Sequence, residues 1–141
     1  MTTELAMAAV ICALGLFQVA WGSFEYRRVH GIVYANTARD KPPAKPDSPM
    51  LGRLNRAETN LLATGAWFTV LAVIISIAQL STEVTRIAAL VFVAMRILYL
   101  PLYAFGVPNV RGLVWTISFL ALVVMTAVTL MGVDWSQVLR P

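Results

Sequence analysis

Arginine stands with tyrosine or asparagine at helical spacing in two stretches of this sequence. Arg96, Tyr99 and Tyr103 follow one another at i, i+3 and i+7. On a helix of about 3.6 residues per turn, these three side chains lie within about 60° of one another. Arg56 and Asn60 form a second pair, at i and i+4. Guanidinium, phenol and amide groups all donate hydrogen bonds, so the pattern indicates a shared polar site for an anionic ligand.

The alternative is that these residues have structural roles and bind no ligand. A long side chain such as that of Arg96 can snorkel toward the membrane surface or pair with another polar group of the bundle. Tyr99 and Tyr103 can belong to the aromatic belt at the membrane interface. Three polar groups on one stripe favour the shared site over these structural roles.

Further basic positions lie at the ends of two apolar runs. Arg27 and Arg28 close the first run, and Arg111 opens the last one. When successive helices alternate in direction, these arginines come to the same side of the membrane as Arg56 and Tyr103. Such an excess of positive charge calls for an anionic ligand, or for the phosphate and carboxylate groups of lipids.

Four apolar runs carry these residues. Of the 141 residues, 59% are hydrophobic and 13% are charged, whereas soluble domains average roughly 45–50% and about 25%. Each run has the length that a helix needs to cross the hydrocarbon core of a bilayer, about twenty residues. The sequence therefore predicts one all-α membrane domain over residues 1–141, an up-down bundle of four helices. The spans are predicted at about residues 5–24, 61–80, 84–105 and 113–133.

Positive charge sets the expected orientation. Seven of the eleven basic residues fall between the first and second spans. Under the positive-inside rule this loop, about residues 25–55, faces the cytoplasm, and both termini lie on the other side. Its proline-rich segment, residues 39–49, is expected to be extended and mobile, and His30 is expected to be exposed to solvent. The seven basic residues are Arg27, Arg28, Arg39, Lys41, Lys45, Arg53 and Arg56.

Other function classes fit the sequence less well. The first run is expected to remain a span rather than a cleaved signal peptide, because its leader carries Glu4 and no basic residue. A small proton-coupled multidrug exporter needs a carboxylate inside its first helix, and residues 5–24 contain none. The sequence offers no metal-ligand cluster, so no metal is expected. Nucleic-acid binding would need a soluble basic surface and is not expected either.

Two motifs on the later spans together resemble the MAPEG family (membrane-associated proteins in eicosanoid and glutathione metabolism). The first motif reads Arg56-Ala57-x-x-Asn60. The second lies about forty residues further on and reads Arg96-x-x-Tyr99-x-x-x-Tyr103-x-x-Gly106-x-x-x-x-Arg111. The turn sequence YAFGVPNVR is most similar to the bacterial branch of that family.

This resemblance implies a fold and a function. The family's better-known members are homotrimers of four-helix bundles, and many bind glutathione between subunits and conjugate, isomerise or reduce lipophilic substrates. By resemblance, this chain is expected to be a glutathione-dependent transferase or peroxidase of a bacterial inner membrane, with lipophilic electrophiles arriving from the bilayer. Arg111 matches the position often assigned to thiol activation and is the expected catalytic residue. The other matched positions, expected to bind glutathione, are Arg27, Arg56, Asn60, Arg96, Tyr99 and Tyr103.

One position departs from the family pattern. The first motif usually continues Arg-Ala-x-x-Asn-x-x-Glu, and here Ala63 stands in place of the glutamate. Glu58 lies about 200° around the helix from Arg56, so it cannot take the place of the missing glutamate. Glu25 at the end of the first span is a candidate replacement for that glutamate. The departure supports an alternative function, that of a non-catalytic relative which binds lipid or a partner protein in the same groove.

Overall fold

The computed structural model describes residues 1–138, and these form helices and no strand. The chain runs in order through α1 (Thr3–His30), α2 (Ile32–Ala35), α3 (Pro49–Ile77), α4 (Glu83–Ala104), α5 (Val110–Met131) and α6 (Trp135–Val138). The helices α1, α3, α4 and α5 are each long and apolar enough to cross a membrane. The prediction of an all-α, four-helix integral membrane protein is confirmed.

The bundle has two ends. The connection between α1 and α3 and the turn between α4 and α5 lie at one end, which we name the loop end. The N-terminus, the turn between α3 and α4, and α6 lie at the other end, which we name the N-terminal end. The seven basic residues between Arg27 and Arg56 belong to the loop end.

Local side chains fix where α3 and α4 begin. The Ser48 hydroxyl accepts a hydrogen bond from the backbone nitrogen of Leu51 at 3.1 Å, and Pro49 takes the first turn, where a missing N–H costs little. Thr82 and Thr85 form a capping box at the start of α4. Because α3 begins at Pro49, ahead of its apolar run, its first turns carry polar residues at the loop end.

The helix α4 forms the centre of the bundle, since it packs against α1, α3 and α5. Phe92 of α4 stacks on Phe68 of α3, with ring centroids 4.5 Å apart, and both rings are fully buried. The neighbouring Ala88 and Ala89 are buried as well, and small side chains let membrane helices approach closely. By contrast, α5 packs along α4 and touches α3 only lightly. An open groove therefore separates α3 from α5.

The connection between α1 and α3 is held against α1. The hydroxyl of Tyr34 donates to the carbonyl of Lys41 at 2.7 Å, and His30 Nε2 lies 2.8 Å from Asp47 Oδ1. The His30 side chain is 0% exposed, with its ring against those of Tyr26 and Tyr34. The expectation of a solvent-exposed His30 is therefore wrong, because α1 continues past its apolar run and two aromatic rings enclose the imidazole.

Two predicted spans run two or more residues past the ends of their helices. The helix α3 ends at Ile77 rather than at residue 80, and α5 ends at Met131 rather than at residue 133. Gln79 has a φ of 57°, in the left-handed region that commonly follows a helix end. The next residue, Leu80, is apolar, so hydropathy alone does not show where α3 ends.

A carboxylate is buried at the N-terminal end. Glu4 is 0% exposed, and its oxygens accept hydrogen bonds from the hydroxyls of Ser81 and Thr85. Ser81 precedes α4 and Thr85 lies in its first turn, so these bonds tie α1 to α4. Burying a carboxylate without donors is costly, and the two hydroxyl groups are what offset that cost here.

Candidate functional site

Side chains from α3, α4 and α5 meet at Asn60. Its Oδ1 accepts a hydrogen bond from Arg96 Nη1 of α4 and another from Trp115 Nε1 of α5, each at 2.9 Å. Arginine and tryptophan side chains are donors only, so the oxygen of the amide must face them both. One asparagine of α3 therefore joins three helices.

Arg96 lies inside the bundle. It is 1% exposed, and its guanidinium carbon lies 5.2 Å from the ring centroid of Phe92 and 5.7 Å from that of Tyr99. Both distances permit cation–π attraction. Among the residues that the structure describes, Nε and Nη2 of Arg96 have no hydrogen-bond partner. Arg96 therefore does not snorkel to the surface, and its hydrogen bond to Asn60 is the pairing within the bundle that the structural alternative also allowed.

A second layer of polar groups lies closer to the loop end. Arg56 Nε donates to Tyr103 Oη at 3.3 Å, and the guanidinium carbon of Arg111 lies 4.7 Å from the Tyr103 ring centroid. The Tyr99 ring, 5.2 Å from that of Tyr103, links the two layers. Seven residues separate Arg96 from Tyr103, so the layers are about 10 Å apart along α4.

Six of the seven predicted site residues thus come together in one chain. We name this group the arginine–tyrosine cluster, and its members are Arg56, Asn60, Arg96, Tyr99, Tyr103 and Arg111. Its outer layer is accessible, because Arg56 is exposed and Tyr103 and Arg111 are half-buried. Its inner layer is closed, since Arg96 and Tyr99 are buried.

The seventh residue, Arg27, lies elsewhere. It lines a polar cavity of about 350 Å³ between α1 and α3, together with Arg39 and Glu58. The helical spacing already places Glu58 on the opposite side of α3 from Arg56. Within one chain, Arg27 and Glu58 therefore belong to this cavity and not to the cluster.

The cluster carries three arginines, and no carboxylate of the described residues forms an ion pair with them. Glu25 is not the missing partner within the chain. Its carboxylate pairs with Arg28 at 2.7 Å and accepts a hydrogen bond from Ser48 at 2.9 Å. Ala63 is exposed and offers no charge. The surplus of positive charge makes the cluster fit an anionic group.

Two residues near the cluster take part in ways that the sequence did not reveal. Trp115 lies one turn after Arg111 on α5, so the spacing places it on the same face as Arg111 but does not reveal its bond to Asn60. Arg53 lies one turn before Arg56 on α3, with its Nη1 3.5 Å from the carbonyl oxygen of Ala104 at the end of α4. Arg53 thereby steadies the turn that separates Tyr103 from Arg111.

This turn depends on Gly106. Its φ is 74°, and a Cβ atom there would lie 2.5 Å from the guanidinium carbon of Arg53. We expect Gly106→Ala to lower the Tm in detergent by roughly 5 °C, since left-handed backbone costs an L-residue roughly 1–2 kcal/mol and Arg53 must move as well.

Gly112→Ala is the matched control for this measurement. Gly112 lies in the first turn of α5, and a Cβ atom there meets nothing within 4 Å. Alanine favours a helix over glycine, so this variant should keep or raise the Tm. Equal Tm values for the two variants would contradict the assigned role of Gly106.

An apolar groove adjoins the cluster. It has a volume of about 610 Å³ and runs between α3 and α5, with Trp67, Phe119 and Leu130 among its lining residues. Phe119 stacks on Trp115 with ring centroids 5.3 Å apart, and Trp115 reaches the cluster through Asn60. A polar site and an apolar groove thus meet at a single pair of aromatic rings.

Comparison with known proteins agrees with the motifs. The sequence model of the MAPEG family matches residues 5–131, which is almost the whole chain. No curated protein and no solved structure matches the chain significantly. The match covers all four membrane helices and every residue of the arginine–tyrosine cluster.

Proposed function

This chain belongs to the MAPEG family, and we propose that it is a glutathione-dependent transferase or peroxidase that acts on lipophilic electrophiles. The observation that carries the proposal is the arginine–tyrosine cluster, in which three guanidinium groups and two phenols converge without a carboxylate from residues 1–138. Glutathione is an anion at neutral pH, with two carboxylates and one ammonium group. The surplus positive charge of the cluster therefore favours it.

The outer layer of the cluster is the proposed place of reaction. A thiol with a pKa near 8.5 is mostly protonated at neutral pH, and the thiolate is the nucleophile. Arg111 stabilises the thiolate because a guanidinium keeps its charge. Tyr103 Oη accepts from Arg56 and keeps its own O–H to donate to the sulfur. In conjugation, the sulfur forms a bond to carbon as that carbon's bond to its leaving group breaks, and the thiol proton passes to water.

The apolar groove between α3 and α5 is the proposed path of the second substrate. Its lining is almost wholly apolar, and its residues lie along the membrane-spanning parts of the two helices. A lipophilic electrophile dissolved in the bilayer can enter such a groove without crossing water. Phe119 and Trp115 would then guide it toward the thiolate.

The assembly and location are also proposals. We propose a homotrimer in a bacterial inner membrane, with the loop end in the cytoplasm and both termini on the other side. The surplus of arginine and lysine at the loop end supports this orientation. Arg27 supports an assembly, because it lies in an open cavity apart from the cluster and a neighbouring copy could bring it to the bound glutathione.

A non-catalytic member that binds lipid or a partner protein is the second candidate. Ala63 favours it, since the family glutamate that could pair with the ammonium group of glutathione is absent. In that case the same arginines would hold the phosphate or carboxylate group of a lipid.

Calorimetry of glutathione binding to the detergent-solubilised protein tests the first candidate against the second. Binding in the millimolar range or tighter, weakened in Arg111→Ala, supports the enzyme. We expect Ala63→Glu to bind glutathione about tenfold more tightly, because a charged hydrogen bond to the ammonium group contributes roughly 1.5–3 kcal/mol.

Ala66→Glu is the control for this gain of binding. It adds the same charge to the same helix at another exposed position and should leave the affinity for glutathione unchanged. Absence of binding in the parent with binding restored by Ala63→Glu would favour the lipid-binding alternative. Absence of binding in all three proteins would refute glutathione as the ligand.

A further inference from the structure

The bonds around Asn60 restrict what a ligand can present to it. Its Oδ1 receives two N–H donors, from Arg96 and from Trp115. If the amide turned over, its own NH2 group would face those two donors and both bonds would be lost. The NH2 group of Asn60 is therefore directed away from them, and no hydrogen bond among the described residues uses it.

Both donors are themselves held in place. Trp115 stacks on Phe119, with the ring planes 4° from parallel, and its backbone carbonyl accepts a hydrogen bond from the Ser118 hydroxyl at 2.8 Å. Arg96 is enclosed in the bundle at 1% exposure. Asn60 itself is only half-buried, so its NH2 group remains within reach of a ligand.

We propose that Trp115 and Arg96 are positioning residues that lock the orientation of the Asn60 amide. The ligand group that meets the NH2 group of Asn60 must then be a hydrogen-bond acceptor such as a carboxylate. The inference rests on the proposed function, because it assigns the end of glutathione that meets α3. A site built to donate at one point rejects a ligand that brings a donor there, since two donors would then be left facing each other. The ammonium group of glutathione accordingly makes no contact with the Asn60 amide itself, and a carboxylate one turn further along α3, at residue 63, can still reach it.

Trp115→Phe and Asn60→Ala, singly and combined, test the lock. Trp115→Phe removes the N–H donor and keeps a flat ring against Phe119. The control is Trp135→Phe, which removes an indole N–H that donates to the carbonyl of Leu130 at 3.1 Å, outside the cluster. The Tm of each full-length variant and its affinity for glutathione are measured in the same detergent.

The lock predicts two results. The double variant melts no lower than Asn60→Ala alone, because the hydrogen bond between Trp115 and Asn60 is already absent in Asn60→Ala. Trp115→Phe binds glutathione roughly twofold to tenfold more weakly, as expected for one misplaced hydrogen bond, and Trp135→Phe binds it as the parent does. Additive losses of Tm, or unchanged affinity in Trp115→Phe, would overturn the positioning role.

Asn60→Asp tests whether the ligand must present a hydrogen-bond acceptor at this position. A carboxylate keeps the bonds to Arg96 and Trp115 but has no donor, so the Tm is maintained while the affinity for glutathione falls at least about tenfold. Tighter binding by Asn60→Asp than by the parent would overturn the inference. If the parent binds no glutathione, the proposed function fails, yet the Tm values still decide whether the lock exists.

Discussion

Arg111→Ala is expected to slow glutathione conjugation at pH 7 roughly 25-fold through loss of thiolate alone. A guanidinium that lowers the pKa of the bound thiol by about two units, from about 8.5, contributes roughly 2.7 kcal/mol of differential stabilisation. At pH 7 the thiol would then be mostly ionised in the parent and only about 3% ionised in the variant. Rates of conjugation with a lipophilic electrophile, measured in proteoliposomes between pH 5.5 and 9.5, check this.

The shape of the pH profile separates this role from simple loss of binding. The two rates should differ most below pH 6.5 and converge above pH 8.5, where both thiols are ionised. Arg86→Ala serves as the control, because Arg86 lies at the N-terminal end and donates to Ser81 at 3.2 Å. A rate difference that stays constant across the pH range would contradict the assigned role of Arg111.

Arg96→Met is expected to raise the Tm while it weakens glutathione binding more than tenfold. A charged side chain at the centre of a span costs roughly 2.5–3.5 kcal/mol on insertion scales. Within the part of the chain that the structure describes, Arg96 offsets this with one hydrogen bond, to Asn60, and with contacts to the rings of Phe92 and Tyr99. Removing one partner of a buried pair is costly when it leaves the other unsatisfied, but Asn60 Oδ1 keeps its hydrogen bond from Trp115 when Arg96 is replaced. For an anionic group in the outer layer, about 10 Å away, the lost attraction is ~1.7 kcal/mol at an effective dielectric constant of about 20, and it is larger for a carboxylate at Asn60.

Arg56→Met tests whether the change in Tm comes from removing a buried charge or from removing any arginine of the cluster. It removes an arginine from the exposed outer layer of the same cluster and should leave the Tm nearly unchanged. Thermal unfolding and calorimetry on the three proteins give both quantities. A lower Tm in Arg96→Met than in the parent would show that the buried cation stabilises the fold, contrary to expectation.

The helices and one face of the cluster could be predicted from the sequence. Apolar runs of membrane-spanning length leave the backbone no alternative to a helix, and α4 keeps Arg96, Tyr99 and Tyr103 on one side because 3.6 residues make a turn. Contacts within one helix are thus set by sequence spacing. The contact of Tyr103 with Arg111 is also short-range, since only one tight turn separates α4 from α5.

Contacts that depend on how one helix is rotated against another could not be predicted. Spacing does not reveal that Trp115 turns toward α3 and bonds Asn60, nor that Arg27 faces a cavity between α1 and α3. The burial of His30 could not be predicted either, because it depends on the packing of Tyr26 of α1 and Tyr34 of α2 against the imidazole. Hydropathy likewise did not indicate the turn at Gln79, which follows the end of α3 at Ile77.

The burial of Glu4 has a consequence for the order in which the chain is assembled during synthesis. The hydroxyls that accommodate its carboxylate lie 77 and 81 residues further along the chain, on Ser81 and Thr85. Until the ribosome has delivered that segment, the carboxylate can bind only water, lipid headgroups and donors at the start of its own helix. These two hydrogen bonds can therefore form only after α3 has been made, so the contact of the start of α1 with α4 closes late in synthesis.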